Sequence, residues 1–193
     1  MRFAMLGQIR YALLCLMLCG ICDMFDGTLA KRATRNSRQV NFGVQIDSLA
    51  DLTCFGIQPA VIGYFIFGDY LKDVLGLAGT ILTIVVMCAY ILAALIRLAY
   101  YNVIEAELQK EHAKRVHYDG LPVTTSALIL PVIYSAYTWF KIPFPPTYAI
   151  AMVAVSAAFL MKFQIPKIKP RYLVVFLAVG LPFVIYLFFS TGG

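Results

Sequence analysis

The chain has 193 residues, of which 61% are hydrophobic and 13% charged, whereas a soluble domain is roughly 45–50% apolar and about 25% charged. That excludes a water-exposed globule, an intrinsically disordered chain, which needs low hydrophobicity and high net charge, and a small disulfide-stapled secreted domain, because only 5 cysteines are spread over this length. The formal charge of +6 therefore belongs to an integral membrane protein, where the placement of basic residues matters more than their sum.

A bilayer core of about 30 Å takes roughly 20 apolar residues in helical form. Spans are predicted at about residues 7–24, 48–68, 76–101, 121–140, 146–161 and 172–190. The fifth is short enough to tilt little or to be partly re-entrant. Gly56, Pro59, Pro131 and Pro182 inside these segments are compatible with spanning, because neighbouring helices can satisfy freed backbone groups. Apolar alternation at period 2 is absent, which argues against a β-barrel. The fold expected is all-α: a polytopic transmembrane bundle of about six spans, forming a single domain over residues 1–193. Arg2 precedes the first apolar stretch, but no small-residue cleavage site follows, so the segment is read as a span rather than a signal peptide.

Basic residues fall on alternate loops. Lys31, Arg32, Arg35 and Arg38 lie on the first; Lys110, Lys114 and Arg115, with Arg97 near the end of the preceding span, on the third; Lys162, Lys167, Lys169 and Arg171 on the fifth. The second and fourth hold only Lys72 and Lys141. The positive-inside rule places loops one, three and five in the cytoplasm.

Carboxylates are expensive in membrane helices, about 2.5–3.5 kcal/mol at mid-depth. Nevertheless Asp23 and Asp26 close the first span, and Asp47 and Asp51 open the second. Spacings of three and four put each pair on one helix face, and the connecting loop returns the chain to the same side. Four carboxylates in one pocket repel each other; hard divalent cations such as Mg²⁺, Mn²⁺ or Ca²⁺ relieve that conflict. Helix capping is the competing reading, since Asp47 followed by Ser48 resembles a helix start, but it does not account for Asp51 one turn on. Gly27 and Gly43 permit close backbone approach, and the cations of the first loop suit phosphate oxygens.

The string Asp23-Met-Phe-Asp26-Gly27-Thr-Leu-Ala30-Lys31, continued by Gly43-Val-Gln-Ile-Asp47-Ser-Leu-Ala-Asp51, resembles the signature of the CDP-alcohol phosphotransferases, D-x-x-D-G-x-x-A-R and then G-x-x-x-D-x-x-x-D. These are membrane enzymes that move a phosphatidyl group from a CDP-linked donor to an alcohol and release CMP. The stretch from Phe42 to Gly56, Arg97-Leu-Ala-Tyr-Tyr-Asn102 and Gly120-Leu-Pro122-Val-Thr-Thr are similar to the phosphatidylserine synthase branch, with CDP-diacylglycerol as donor and L-serine as acceptor. The resemblance implies that Asp23, Asp26 and Asp47 hold two Mg²⁺ or Mn²⁺ ions with Asp51 touching the second. Asp51 is also the implied general base for the acceptor hydroxyl. It further implies that Gly27, Ala30 and Gly43 line the CDP site, with Lys31 or Arg32 on the diphosphate. A homodimer in the cell membrane, with its active site facing the cytoplasm, is what the family suggests; membrane lipids are the surroundings and no nucleic acid is expected.

Three departures stand out. Lys31 replaces the family arginine, keeping charge without the bidentate fork. The stretch from Lys31 to Gly43 is a few residues longer than the general pattern, which reads as a surface extension. Family members carry an amphipathic segment and one more span ahead of the first acidic helix, and this sequence has about twenty residues there. The expectation is a truncation or a lost helix.

An L-serine pocket needs a cation for its carboxylate. Arg97 and Asn102 are candidates, with residues 120–125; the alternative for Arg97 is snorkelling to the interface. His112 and His117 read as solvated loop residues, Cys19 and Cys22 as small packed hydrophobes, and Trp139 with Tyr134, Tyr137 and Phe140 as an interfacial aromatic belt. Other acceptors (glycerol 3-phosphate or an inositol phosphate), an archaeal ether-lipid donor, an Asp-rich membrane prenyltransferase and an acidic-site transporter are the alternatives.

Overall fold

Helix α1 (Arg2–Met5) is a single turn, and Gly7 at φ +71° redirects the chain into α2 (Ile9–Ala30). The structure, a computed structural model, describes residues 1–30, 36–110, 117–140, 144–161 and 164–166, with positions 180, 182 and 186. Asn36 caps α3 (Ser37–Asp51) in a capping box: its side chain accepts from the Gln39 amide at 2.9 Å, and the Gln39 side chain accepts from the Asn36 amide at 3.0 Å. The chain then runs without interruption through a π turn (Leu52–Ile57) into α4 (Gln58–Leu75).

Gly76, at φ +61°, reverses the chain into α5 (Leu77–Lys110), a helix of 34 residues. The reversal is tight enough that a side chain on Gly79 would collide with the Leu71 carbonyl. Strand β1 (His117–Asp119) follows, then a 3₁₀ turn (Val123–Thr125), α6 (Ser126–Phe140), α7 (Phe144–Leu160) and β2 (Gln164–Pro166). The two strands pair antiparallel, Tyr118 opposite Ile165, and are a small ribbon on an otherwise helical structure.

The core forms where α4, α5 and α7 pack on one another and α2 packs against α4 and α6. Tyr90, Tyr148, Phe55, Phe67, Phe159 and Leu130 are fully buried there. Small residues let the helices approach closely: a Cβ on Gly63 would lie 2.6 Å from Met152 Sδ, and one on Gly20 would lie 3.0 Å from Ala127 Cβ. The opposite face of α5 exposes Ile81, Ile84, Val85, Leu92, Leu95 and Ile96, a contiguous apolar surface of the kind that meets lipid or a partner. The continuous helices Arg38–Leu75 and Leu77–Glu107 are long and apolar enough to cross a bilayer, and Val123–Ala136 and Pro145–Leu160 are shorter apolar helices.

Five of the predicted spans coincide with α2, the α3–α4 run, α5, α6 and α7. The sixth lies outside the described residues, apart from helical positions 180, 182 and 186. The predicted boundaries need correction. The helix carrying Asp23 and Asp26 continues to Ala30, and the helix carrying Asp47 and Asp51 begins at Ser37, so neither acidic pair sits at a helix terminus. The start suggested by Asp47-Ser48 is not used, because the Asn36 capping box initiates that helix eleven residues earlier. Helix α5 outruns its predicted end at residue 101 and shortens the third loop, while α6 begins at Ser126, after the 3₁₀ turn. His117, expected in a loop, opens β1; His112 lies outside the described residues.

Candidate functional site

The acidic helices meet through two thiols. Cys54, in the π turn just past Asp51, hydrogen-bonds through its side chain with Cys19 of α2, and both Asp51 and Asp23 act on it electrostatically. Asp23 lies one helical turn beyond Cys19 and Asp51 three residues before Cys54, so one contact carries a carboxylate from each helix to its edge. Asp23 and Asp51 are half-buried and Asp47 is exposed. Cys19 therefore packs at the α2–α4 junction while Cys22 is exposed, and both are free thiols.

A third helix joins from the other side. Asn102 of α5 donates from Nδ2 to Ser48 Oγ at 2.7 Å, and Ser48 in turn donates to the Val44 carbonyl at 3.0 Å. Ser48 stands between Asp47 and Asp51, so Asn102 reaches the acidic helix between its two carboxylates. Arg97, about one and a half turns earlier on α5, is only 6% exposed and donates from Nε to the Leu121 carbonyl at 2.9 Å. Snorkelling is thereby overturned: Arg97 points into the bundle, where the backbone of residues 120–121 receives it. Gly120 makes the room. At φ +79° it lacks the Cβ that would sit 3.2 Å from an Arg97 Nη and 2.5 Å from the Met161 carbonyl. The following residues turn through Pro122, whose carbonyl accepts from Thr125 Oγ1 at 2.6 Å.

The π turn has a cause in the sequence. Pro59 has no amide N–H for the Phe55 carbonyl four residues back, and its ring crowds that carbonyl. The helix widens, and the Gln58 amide bonds to Thr53, five residues back. The Phe55 carbonyl is claimed from outside: Tyr90 Oη of α5 donates to it at 3.0 Å, while Ser126 Oγ of α6, 3.5 Å away, donates to the Val123 carbonyl at 2.8 Å. Tyr90 did not stand out in the sequence, because it bonds to a backbone carbonyl remote in the chain. The signal available was Pro59 within an otherwise apolar helix.

Of the remaining residues, Gly43 is half-buried within α3, one turn before Asp47, and Gly27 lies within α2. Both glycines are thus helical rather than part of a loop. The side chains of Asp26 and Ala30, and all of Lys31 and Arg32, lie outside the described residues. Tyr134, expected in an interfacial belt, packs on Leu14 and Met17 instead; the side chains of Tyr137, Trp139 and Phe140 lie outside the described set.

The donor chemistry suits hard divalent ions, which take carboxylate oxygens. Among the described residues no three His, Cys, Asp or Glu side chains gather closely enough to hold one.

The sequence matches the CDP-alcohol phosphatidyltransferase family over residues 1–164. The CDP-diacylglycerol–serine O-phosphatidyltransferase of Saccharomyces cerevisiae is 34% identical over 140 residues, covering 69% of this chain and 46% of that one. The archaetidylserine synthase of Methanothermobacter thermautotrophicus is 24% identical over 162 residues, 84% of this chain and 60% of its own. The CDP-diacylglycerol–serine O-phosphatidyltransferase of Mycobacterium leprae is 27% identical over 186 residues, 92% and 58%. The chain thus spans about half to three-fifths of the length of these curated relatives.

Proposed function

From the membership of this chain in the CDP-alcohol phosphatidyltransferase family, we propose that it transfers a phosphatidyl group from CDP-diacylglycerol to L-serine, giving phosphatidylserine and CMP. The observation that carries this reading is the junction of α2 with the π turn that follows α3, where Asp23 and Asp51 flank the Cys19–Cys54 contact and Asn102 reaches Ser48 between Asp47 and Asp51. The names of the relatives support serine as acceptor.

Asp23, Asp26 and Asp47 would hold two divalent ions, Mg²⁺ or Mn²⁺, with Asp51 at the second. When bound, such ions neutralise charge on the diphosphate and on the departing CMP. The chain's own residues do the rest. Asp51 accepts the serine hydroxyl proton as the serine oxygen bonds to the phosphatidyl phosphorus and the bond from that phosphorus to the CMP oxygen breaks. Gly27, Ala30 and Gly43 leave backbone uncovered for the nucleotide, and Lys31 or Arg32 faces the diphosphate. Arg97 offers a guanidinium to the serine carboxylate, a charge-assisted pairing, and Asn102 orders the acidic helix beside it.

The protein works in this reading as a multi-pass membrane homodimer with the acidic junction toward the cytoplasm. An ether-lipid donor is the second reading, favoured by the relative named as an archaetidylserine synthase. The test is CMP release by the purified chain, given Mg²⁺ or Mn²⁺, CDP-diacylglycerol or its ether analogue, and L-serine, glycerol 3-phosphate or inositol phosphate. Serine-dependent release is expected, and Asp51→Asn is expected to lower it by about 100-fold or more, as removal of a general base does. Release that ignores serine, or survives Asp51→Asn, overturns the proposal.

A further inference from the structure

The π turn lies directly between the acidic segment and the helix that anchors it. An α-helix advances about 100° per residue. Pro59 and Gly63 mark the buried stripe of α4, Gly63 facing Met152 of α7. Asp51 and Asp47 precede Pro59 by eight and twelve residues, so an unbroken α-helix would hold them about 80° and 120° away from that stripe. Leu52 and Ser48 would take the line instead. The π turn absorbs one extra residue and removes about 100° of rotation, bringing both aspartates to within about 20° of the stripe. In the observed register Asp51 is half-buried and Ser48 meets Asn102, while Asp47, a turn farther from the π turn, is exposed.

We propose that Tyr90 is a positioning residue for Asp47 and Asp51, holding open the π turn that Pro59 begins. The proposal rests on the reading of these carboxylates as the acidic centre of the transfer reaction. Pro59 takes away the helical donor of the Phe55 carbonyl, and an unpaired carbonyl in an apolar interior is costly. Tyr90 from α5 supplies the donor at 3.0 Å. Its hydrogen bond makes the widened turn the satisfied arrangement, and the register of everything N-terminal to it follows. The Tyr90 side chain need not touch a substrate; it acts on the chemistry through the rotation of α3.

The experiment reads register directly. In a full-length chain lacking its 5 native cysteines, Ser48→Cys with Asn102→Cys is oxidised in the membrane with copper–phenanthroline, and the disulfide is scored by peptide mass. It is expected to form while Pro59 and Tyr90 are present and to be lost when Pro59→Ala and Tyr90→Phe let the helix return to α geometry. Deleting the exposed Thr53 from that variant removes the extra residue, so a regular α-helix recovers the original alignment and the disulfide is expected to return. In the chain with native cysteines, the same substitutions are expected to lower kcat for CMP release by about 10- to 100-fold with little change in KM for the CDP-lipid, and the deletion to restore part of it. A disulfide retained in the substituted chain, or absent from a folded chain with the deletion, overturns the proposal. Should the substituted chain not fold, the deletion chain alone decides. A disulfide that follows this pattern in a protein releasing no CMP with serine would sink the assigned reaction and leave the register argument standing.

Discussion

Arg97 is where a single side chain says most about the acceptor. Arg97 is only 6% exposed; a charge is retained inside a bundle when it is paired, and Arg97 Nε donates to the Leu121 carbonyl at 2.9 Å. Gly120, at φ +79°, lets the backbone pass close to the guanidinium, since a Cβ there would lie 3.2 Å from an Arg97 Nη. The planar fork matches a carboxylate as lysine cannot. Arg97→Ala is therefore expected to raise the KM for L-serine by about 10- to 100-fold, the worth of a charge-assisted hydrogen bond of about 1.5–3 kcal/mol, with much less effect on the KM for the CDP-lipid. Arg97→Lys recovers only part. Steady-state kinetics with each substrate varied in turn check this, and equal losses for both substrates count against the assignment. The sequence made Arg97 a candidate because a charge in an apolar stretch is conspicuous. It left the choice between interior and interface open, because that depends on the carbonyl of residue 121, which only the fold brings near.

Among the elements, α3 separates what hydropathy reports from what backbone bonding builds. Its first ten residues mix polar side chains with Val40, Phe42, Val44 and Ile46 and read as a loop in the sequence, yet they are helical because the Asn36–Gln39 capping box satisfies the first exposed amides. Hydropathy marks the depth at which a helix meets lipid, and a helix that continues into water leaves no trace in it. The same reason explains why α2 runs past Asp26 and α5 past residue 101. The π turn was hidden for a different reason: Pro59 was visible, but the donor that stabilises the widened turn comes from Tyr90, 35 residues away from Phe55. Asn36→Ala removes a cap worth about 1 kcal/mol. It is expected to speed amide exchange over the first turn of α3 while exchange at the buried α4 amides stays unchanged, since α4 is held by tertiary packing. Hydrogen exchange by mass spectrometry reads both regions in one experiment, and equal acceleration in α4 would mean that the two helices fray as one.

At the scale of the whole molecule, depth connects the site to the lipid. The apolar part of α5 exceeds the roughly 20 residues that span a bilayer, and its last turns carry Glu105, Glu107 and Lys110 beyond it. Asn102 stands at that boundary and bonds to Ser48, so the acidic segment lies at the same level, where a lipid-linked diphosphate and a water-soluble acceptor can meet. The motif spacing carried this much of the site; the layer in which the parts assemble came from the length of α5 and its contact with α3. In the proposed topology, basic residues on alternate loops would orient that layer toward the cytoplasm, and the tight turn at Gly76, beside Lys72, toward the opposite side. Single cysteines test this in a chain whose native cysteines have been removed. A cysteine at exposed Lys72 is expected to react with a membrane-impermeant maleimide in intact cells, and one at exposed Glu107 only after permeabilisation. The reverse pattern would put the acidic junction outside the cell, away from cytoplasmic CDP-lipid and serine, and would rule out the assigned reaction even if the fold and the residue contacts were correct. Labelling of both sites in intact cells would show instead that the α4–α5 hairpin does not cross the bilayer, which would leave the exposed apolar face of α5 to a protein partner rather than to lipid.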